Sequence, residues 1–84
     1  MSDHPNTFHL IIASVGESKF DGAALSATIP TSAGEITILP HHEPLVTTLK
    51  EGTIIVRTSA EEPKELHVES GVLEMSGNRA VVLL

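Results

Sequence analysis

Apolar and polar positions alternate with a period of two through most of this chain. Phe8, Leu10 and Ile12 alternate with His9, Ile11 and Ala13, and Ala23, Leu25, Ala27 and Ile29 alternate with Ala24, Ser26 and Thr28. Successive side chains of a β-strand point to opposite faces, so each run predicts a strand with one face toward a core. The same reading holds for Ile54 and Val56 against Ile55 and Arg57, for Leu66 and Val68 against His67 and Glu69, and for Leu73 and Met75 against Val72 and Glu74. Residues 36–39 predict a short strand ended by Pro40, and residues 80–84 a nearly all-apolar last one. Leu45, Val46 and Leu49 would share a helix face behind Pro44. The β-branched run Val46-Thr47-Thr48 disfavours a helix, however, and the segment is read as a strand.

Turn signals separate these runs at short intervals: Gly16-Glu17-Ser18, Asp21-Gly22, residues 31–34, residues 40–44, Glu51-Gly52, residues 60–63, Ser70-Gly71 and residues 76–78. That punctuation leaves no room for helices of ordinary length and predicts an all-β sandwich or barrel. With 84 residues the chain makes one domain. Residues 1–6 are polar and predict a disordered N-terminal tail, leaving residues 7–84 as the domain. A chain this small buries roughly 60% of its unfolded surface, so its stability is expected to be modest and open to support from a partner.

Composition narrows the function by exclusion. The net charge of −6 disfavours nucleic acid and anionic headgroups and suits a basic or polar protein surface. Phe8 and Phe20 are the only aromatic residues, which leaves nothing on which bases could stack. Cysteine is absent, so neither disulfides nor thiolate metal sites are available. No apolar run approaches the 18 or more residues that would span a bilayer, and no basic stretch followed by an apolar core suggests a signal peptide. A soluble protein, with no direct membrane insertion and no cofactor, is expected.

The densest segment is Gly34-Glu35-Ile36-Thr37-Ile38-Leu39-Pro40-His41-His42-Glu43-Pro44-Leu45. Gly34 permits a left-handed turn before the strand. Pro40 and Pro44 bracket a three-residue loop and fix φ at both ends, which makes the loop stiff. His41, His42 and Glu43 sit on that loop, and Glu35 starts the strand before it. On residue types alone these are solvated turn residues or a polar contact surface.

The pattern Gly34-Glu35, Ile38-Leu39-Pro40, His42, Pro44-Leu45, followed by Thr48-Leu49-Lys50 and Gly52, resembles the N-terminal domain of ATP synthase epsilon subunits. The run from Phe8-His9-Leu10 to Phe20-Asp21-Gly22, and the closing Ser70-Gly71-Val72-Leu73-Glu74 with Asn78 and Val81-Val82-Leu83, are similar to the same family, so the likeness spans about residues 8–84. It implies a flattened β-sandwich of roughly eight to ten short strands, without long helices. It also implies a non-catalytic place on a central stalk, between the gamma subunit and the membrane c-ring, on the cytoplasmic side of a bacterial inner membrane. Glu35 and His42 match the residues that contact the ring loops, with His41 and Glu43 as further candidates and Gly34, Pro40 and Pro44 shaping the loop. Two departures stand out. The family usually continues into a regulatory helical hairpin, which this sequence does not include, and it generally has glycine where this chain has His41.

Two other readings compete. Lipoyl- and biotinyl-carrier domains are similarly small, acidic and all-β, but they carry a modifiable lysine in a hairpin. The hairpin Glu74-Met75-Ser76-Gly77-Asn78 has none. A metal-dependent barrel enzyme would use His41, His42 and Glu43, yet neighbours on a short loop rarely converge on one ion. No metal is expected.

Overall fold

The computed structural model describes residues 6–84, so residues 1–5 of the predicted tail lie outside the described residues, and Asn6 is an exposed bend. The described residues form nine strands and no helix: β1 Phe8–Ser14, β2 Glu17–Ala24, β3 Ser26–Thr31, β4 Gly34–Ile38, β5 Leu45–Leu49, β6 Gly52–Arg57, β7 Lys64–Val68, β8 Gly71–Ser76 and β9 Arg79–Leu83. They run as one curled sheet in the order β2-β1-β9-β8-β5-β3-β6-β7, with β4 on the other side of β3. The curl folds this sheet into two layers, β2-β1-β9-β8-β5 and β4-β3-β6-β7. All pairings are antiparallel except β1 with β9, where His9 to Ala13 lie beside Arg79 to Leu83. The all-β sandwich is therefore the observed architecture, and residues 45–49 are a strand.

The layers meet at a corner. Thr31 pairs with Leu49. Beside this pair the Lys50 amide donates to the Pro30 carbonyl at 3.0 Å, and the Ser32 amide to the Thr48 carbonyl at 2.9 Å. Thr31 is the one buried polar residue among those described, and its hydroxyl bonds the Gly34 carbonyl while accepting the Ala33 amide. A buried hydroxyl is expensive to leave unpaired, and here both of its roles are used.

Between the layers lies one core. Phe8, Leu10 and Ile12 of β1, Leu73 and Met75 of β8, and Val82 of β9 face Ile29 of β3, Ile38 of β4, and Ile54 and Val56 of β6. Burying each large apolar side chain contributes about 1.5–3 kcal/mol. Phe8, Leu10 and Ile12 share a face, as do Ile54 with Val56 and Leu73 with Met75, in line with the period-two reading, whereas Ile38 and Val82 lie in runs to which it gave no inward face.

Two segments differ from that reading. Residues 17–22, read as two turns, belong to β2. This is an edge strand whose residues are mostly exposed, so it carries no apolar alternation to announce it. A bulge sits in its pairing: Ile12 is opposite Phe20 but Ala13 is opposite Ser18, leaving Lys19 as the extra residue. The run 23–29 is not one strand. The chain passes from one layer to the other at Leu25, whose amide donates to the Arg57 carbonyl at 2.7 Å. The crossing shifts the phase, and Ala24, read as outward, is fully buried.

Candidate functional site

Strand β4 delivers the chain into the bend at residues 39–44. Ile36 and Ile38 face the core, and Glu35, Thr37 and Leu39 face outward. Pro40 supplies a fixed φ at the second position of a four-residue turn, and the His42 amide closes that turn on the Leu39 carbonyl at 3.2 Å. His41 occupies the third position with φ +63. A positive φ at this position alone makes the turn type II, which ordinarily takes glycine there. For an L-residue the left-handed region costs about 1–2 kcal/mol, so the bend holds a conformation its own residues do not prefer.

The bend is fixed from outside by Asn78. Gly77 and Asn78, both at φ 60, form the two-residue turn that joins β8 to β9, with Ser76 opposite Arg79. Positive φ at both central residues is the type I′ geometry whose twist matches a hairpin. From this stiff turn the Asn78 Oδ1 accepts the His41 amide at 2.7 Å, and Nδ2 donates to the Thr7 carbonyl at 3.0 Å. The Asn78 main-chain carbonyl also accepts the His9 amide at 3.2 Å. Sequence reasoning places Asn78 in a turn and in the family resemblance but gives it no contact, because its partner lies 37 positions away and nothing local marks the bond.

Chemically, the bend offers an imidazole and carboxylates. His42 is half-buried while His41, Glu43 and Glu35 are exposed. The His42 Nδ1 lies 2.9 Å from the Glu43 carbonyl oxygen. A carbonyl can only accept, so Nδ1 carries the hydrogen, and in the neutral ring Nε2 holds a lone pair for a donor outside the chain. Pro44 is exposed beyond it, and Pro40 is half-buried beneath it. Gly34, at φ +117, closes the turn into β4 at the other end of that strand.

Glu35 and His42 are not brought together. Glu35 is opposite Pro30 near the start of β4, and three residues of strand, about 10 Å, separate it from Ile38 before the bend begins. No described cation pairs with Glu35. What the structure presents is therefore a strip along edge strand β4, with a carboxylate at one end and an imidazole with a second carboxylate at the other. Leu39, 54% exposed, lies between them. Leu39 was not picked out as a contact residue, although an apolar residue in the outward phase of β4 was a readable signal. Among the described residues no three His, Asp or Glu side chains converge as a metal site.

Comparison with known proteins agrees with this architecture. The sequence model for "ATP synthase, Delta/Epsilon chain, beta-sandwich domain" matches residues 7–84. The ATP synthase epsilon chain of Delftia acidovorans is 35% identical over 78 residues, covering 93% of this chain and 56% of that relative. The epsilon chain of Nitrosomonas eutropha is 34% identical over 76 residues, covering 90% and 54%. The chain thus spans about half the length of the curated relatives it matches. Among solved structures, a chain of the Euglena gracilis mitochondrial ATP synthase (OSCP/F1/c-ring) superposes with TM-score 0.86 at 19% identity, covering 98% of this chain and 52% of that one. A chain of the Tetrahymena thermophila mitochondrial ATP synthase central stalk and c-ring gives 0.74 at 15% identity, covering 89% and 60%. At these identities the superpositions speak for the fold, and the sequence matches for descent. This chain belongs to the ATP synthase delta/epsilon chain family, by its β-sandwich domain.

Proposed function

We propose that the chain is the β-sandwich of an epsilon-type rotor subunit, a non-catalytic connector between the gamma subunit and the c-ring of an F-type ATP synthase. The observation that carries this reading is the stiff bend at the end of β4, which displays the Nε2 of His42 and the carboxylate of Glu43, with Glu35 farther along the same edge. Torque transfer needs a contact that does not slip. A preorganised bend fits that need, because its backbone is already held by Pro40, Pro44 and the bond to Asn78 and loses little freedom on binding. The curated relatives named above are bacterial epsilon chains, which supports a position peripheral to the membrane, and the cytoplasmic side of a bacterial inner membrane is part of the same proposal.

The gamma contact is placed on the outer face of the β5-β8-β9 part of the sheet. Val72 lies opposite Leu83, Val46 is diagonal to Val72, and these three are 42%, 56% and 70% exposed. Cross-strand neighbours of this kind make one patch rather than three scattered residues. The test is co-purification: the chain, expressed with its cognate synthase and recovered by an affinity tag, is expected to retain gamma and ring subunits. Recovery free of every stalk and ring component, together with unaided turnover of a small molecule, would end the proposal.

A further inference from the structure

We infer that Asn78 is a positioning residue for the bend, which selects the type II form of the Leu39–His42 turn and thereby the side on which the Pro40 carbonyl is presented. The inference rests on the ring-contact reading above and adds the device that sets the contact.

Type I and type II turns differ by a flip of the central peptide, here the one joining Pro40 to His41. The flip reverses the His41 N–H and moves His41 from positive φ to the ordinary φ near −90°. Pro-His as a central pair suits type I, since proline accepts either form and a residue with a Cβ avoids positive φ. The structure nevertheless holds His41 at φ +63. The group that opposes the flip is Asn78 Oδ1, which accepts the very N–H that the flip would turn away, at 2.7 Å.

The geometry of Asn78 explains why it can do this. Its own backbone is pinned at φ 60 in a tight hairpin turn. Its amide is pinned from the far side by the bond from Nδ2 to the Thr7 carbonyl. One planar group therefore uses an acceptor arm on the bend and a donor arm on the chain just before β1. Aspartate keeps the acceptor and loses the donor, and alanine loses both. The C=O and N–H of a trans peptide point opposite ways, so with the His41 N–H held toward Asn78 the Pro40 carbonyl is an acceptor on the side of the bend away from Asn78, beside the ring-contact residues.

A double-mutant cycle on the full chain tests this, with the cognate c-ring in detergent as the binding probe. A strong NOE from the Pro40 Hα to the His41 amide reports the type II form. Asn78→Ala is expected to weaken that NOE and to raise the ring Kd about five- to tenfold, the worth of one hydrogen bond. In a His41→Gly background glycine favours type II unaided, so Asn78→Ala should leave the NOE strong and the Kd within about twofold. Equal losses in both backgrounds overturn the inference, because Asn78 then acts through general stability. A strong NOE in Asn78→Ala overturns it as well. Should Asn78→Ala fail to fold, Asn78→Asp retains the acceptor and is expected to keep the strong NOE, and its loss there is a refutation. Ring affinity that is unchanged in Glu35→Ala/His42→Ala removes the ring reading itself, while the NOE still reports the turn.

Discussion

Gly71→Ala is expected to lower the stability of the domain by about 3 kcal/mol or more. Gly71 opens β8 at φ +156, a conformation that side-chain-bearing residues rarely adopt. A Cβ placed there would sit 2.6 Å from the Leu83 carbonyl oxygen and 3.1 Å from the Leu84 side chain. The first of these neighbours is backbone and belongs to β9, which is paired on both sides, with β8 and with β1. Relief therefore requires moving a central strand rather than turning a rotamer. Small domains have only about 5–15 kcal/mol in total, so a loss of this size shifts a urea midpoint by a large fraction of its value. An unfolding free energy within about 0.5 kcal/mol of the parent's would contradict the close approach.

The second large effect concerns function without fold. Glu35→Ala combined with His42→Ala is expected to weaken binding to the cognate c-ring about a hundredfold and to lower coupled ATP synthesis. Each residue offers a hydrogen bond to a polar or charged partner group worth about 1.5 kcal/mol, or roughly tenfold, and their separation along β4 makes the two losses nearly additive. Stability should change by less than about 0.5 kcal/mol. Glu35 is exposed, and the one side-chain hydrogen bond of His42 among the described residues runs to the adjacent Glu43 carbonyl. Wild-type coupling in the double variant would remove both residues from the mechanism.

Much of the sandwich was legible because its strands are half-buried. Leu10 and Ile12, Ile54 and Val56, and Leu73 and Met75 all point inward as their alternation required. What alternation could not show was where the chain changes layer, and the crossing at Leu25 turned Ala24 inward. Strand β2 was hidden for a related reason. At the edge of the sheet it buries little, so Asp21-Gly22 looked like a turn although it lies within a strand. The parallel pairing of β1 with β9 joins the two ends of the domain, and no local pattern encodes it.

The candidate site divides in the same way. Its stiffness was readable from two prolines bracketing His41, His42 and Glu43. Its dependence on Asn78 was not, because that bond runs from the β8-β9 hairpin turn to a connection between the two layers, 37 positions away. The left-handed backbone of His41 is not encoded by its own residue type, since a residue with a Cβ argues against it. The separation of Glu35 from His42 follows from the length of β4 once the strand is known, and it turns a single site into an extended strip.

Because the chain lacks cysteine, one introduced thiol is unique and can carry a short photoactivatable arm. The central claim is that the β4 edge and its bend face the ring. The most direct measurement places that arm at His42→Cys or Glu35→Cys in the assembled synthase and identifies the crosslinked partner. A control sits at Glu65→Cys, an exposed position on β7, the strand at the other edge of the β4-β3-β6-β7 layer. The account predicts ring-subunit adducts from positions 35 and 42 and none from 65. Adducts to the ring from 65 alone, or from none of the three, would contradict it.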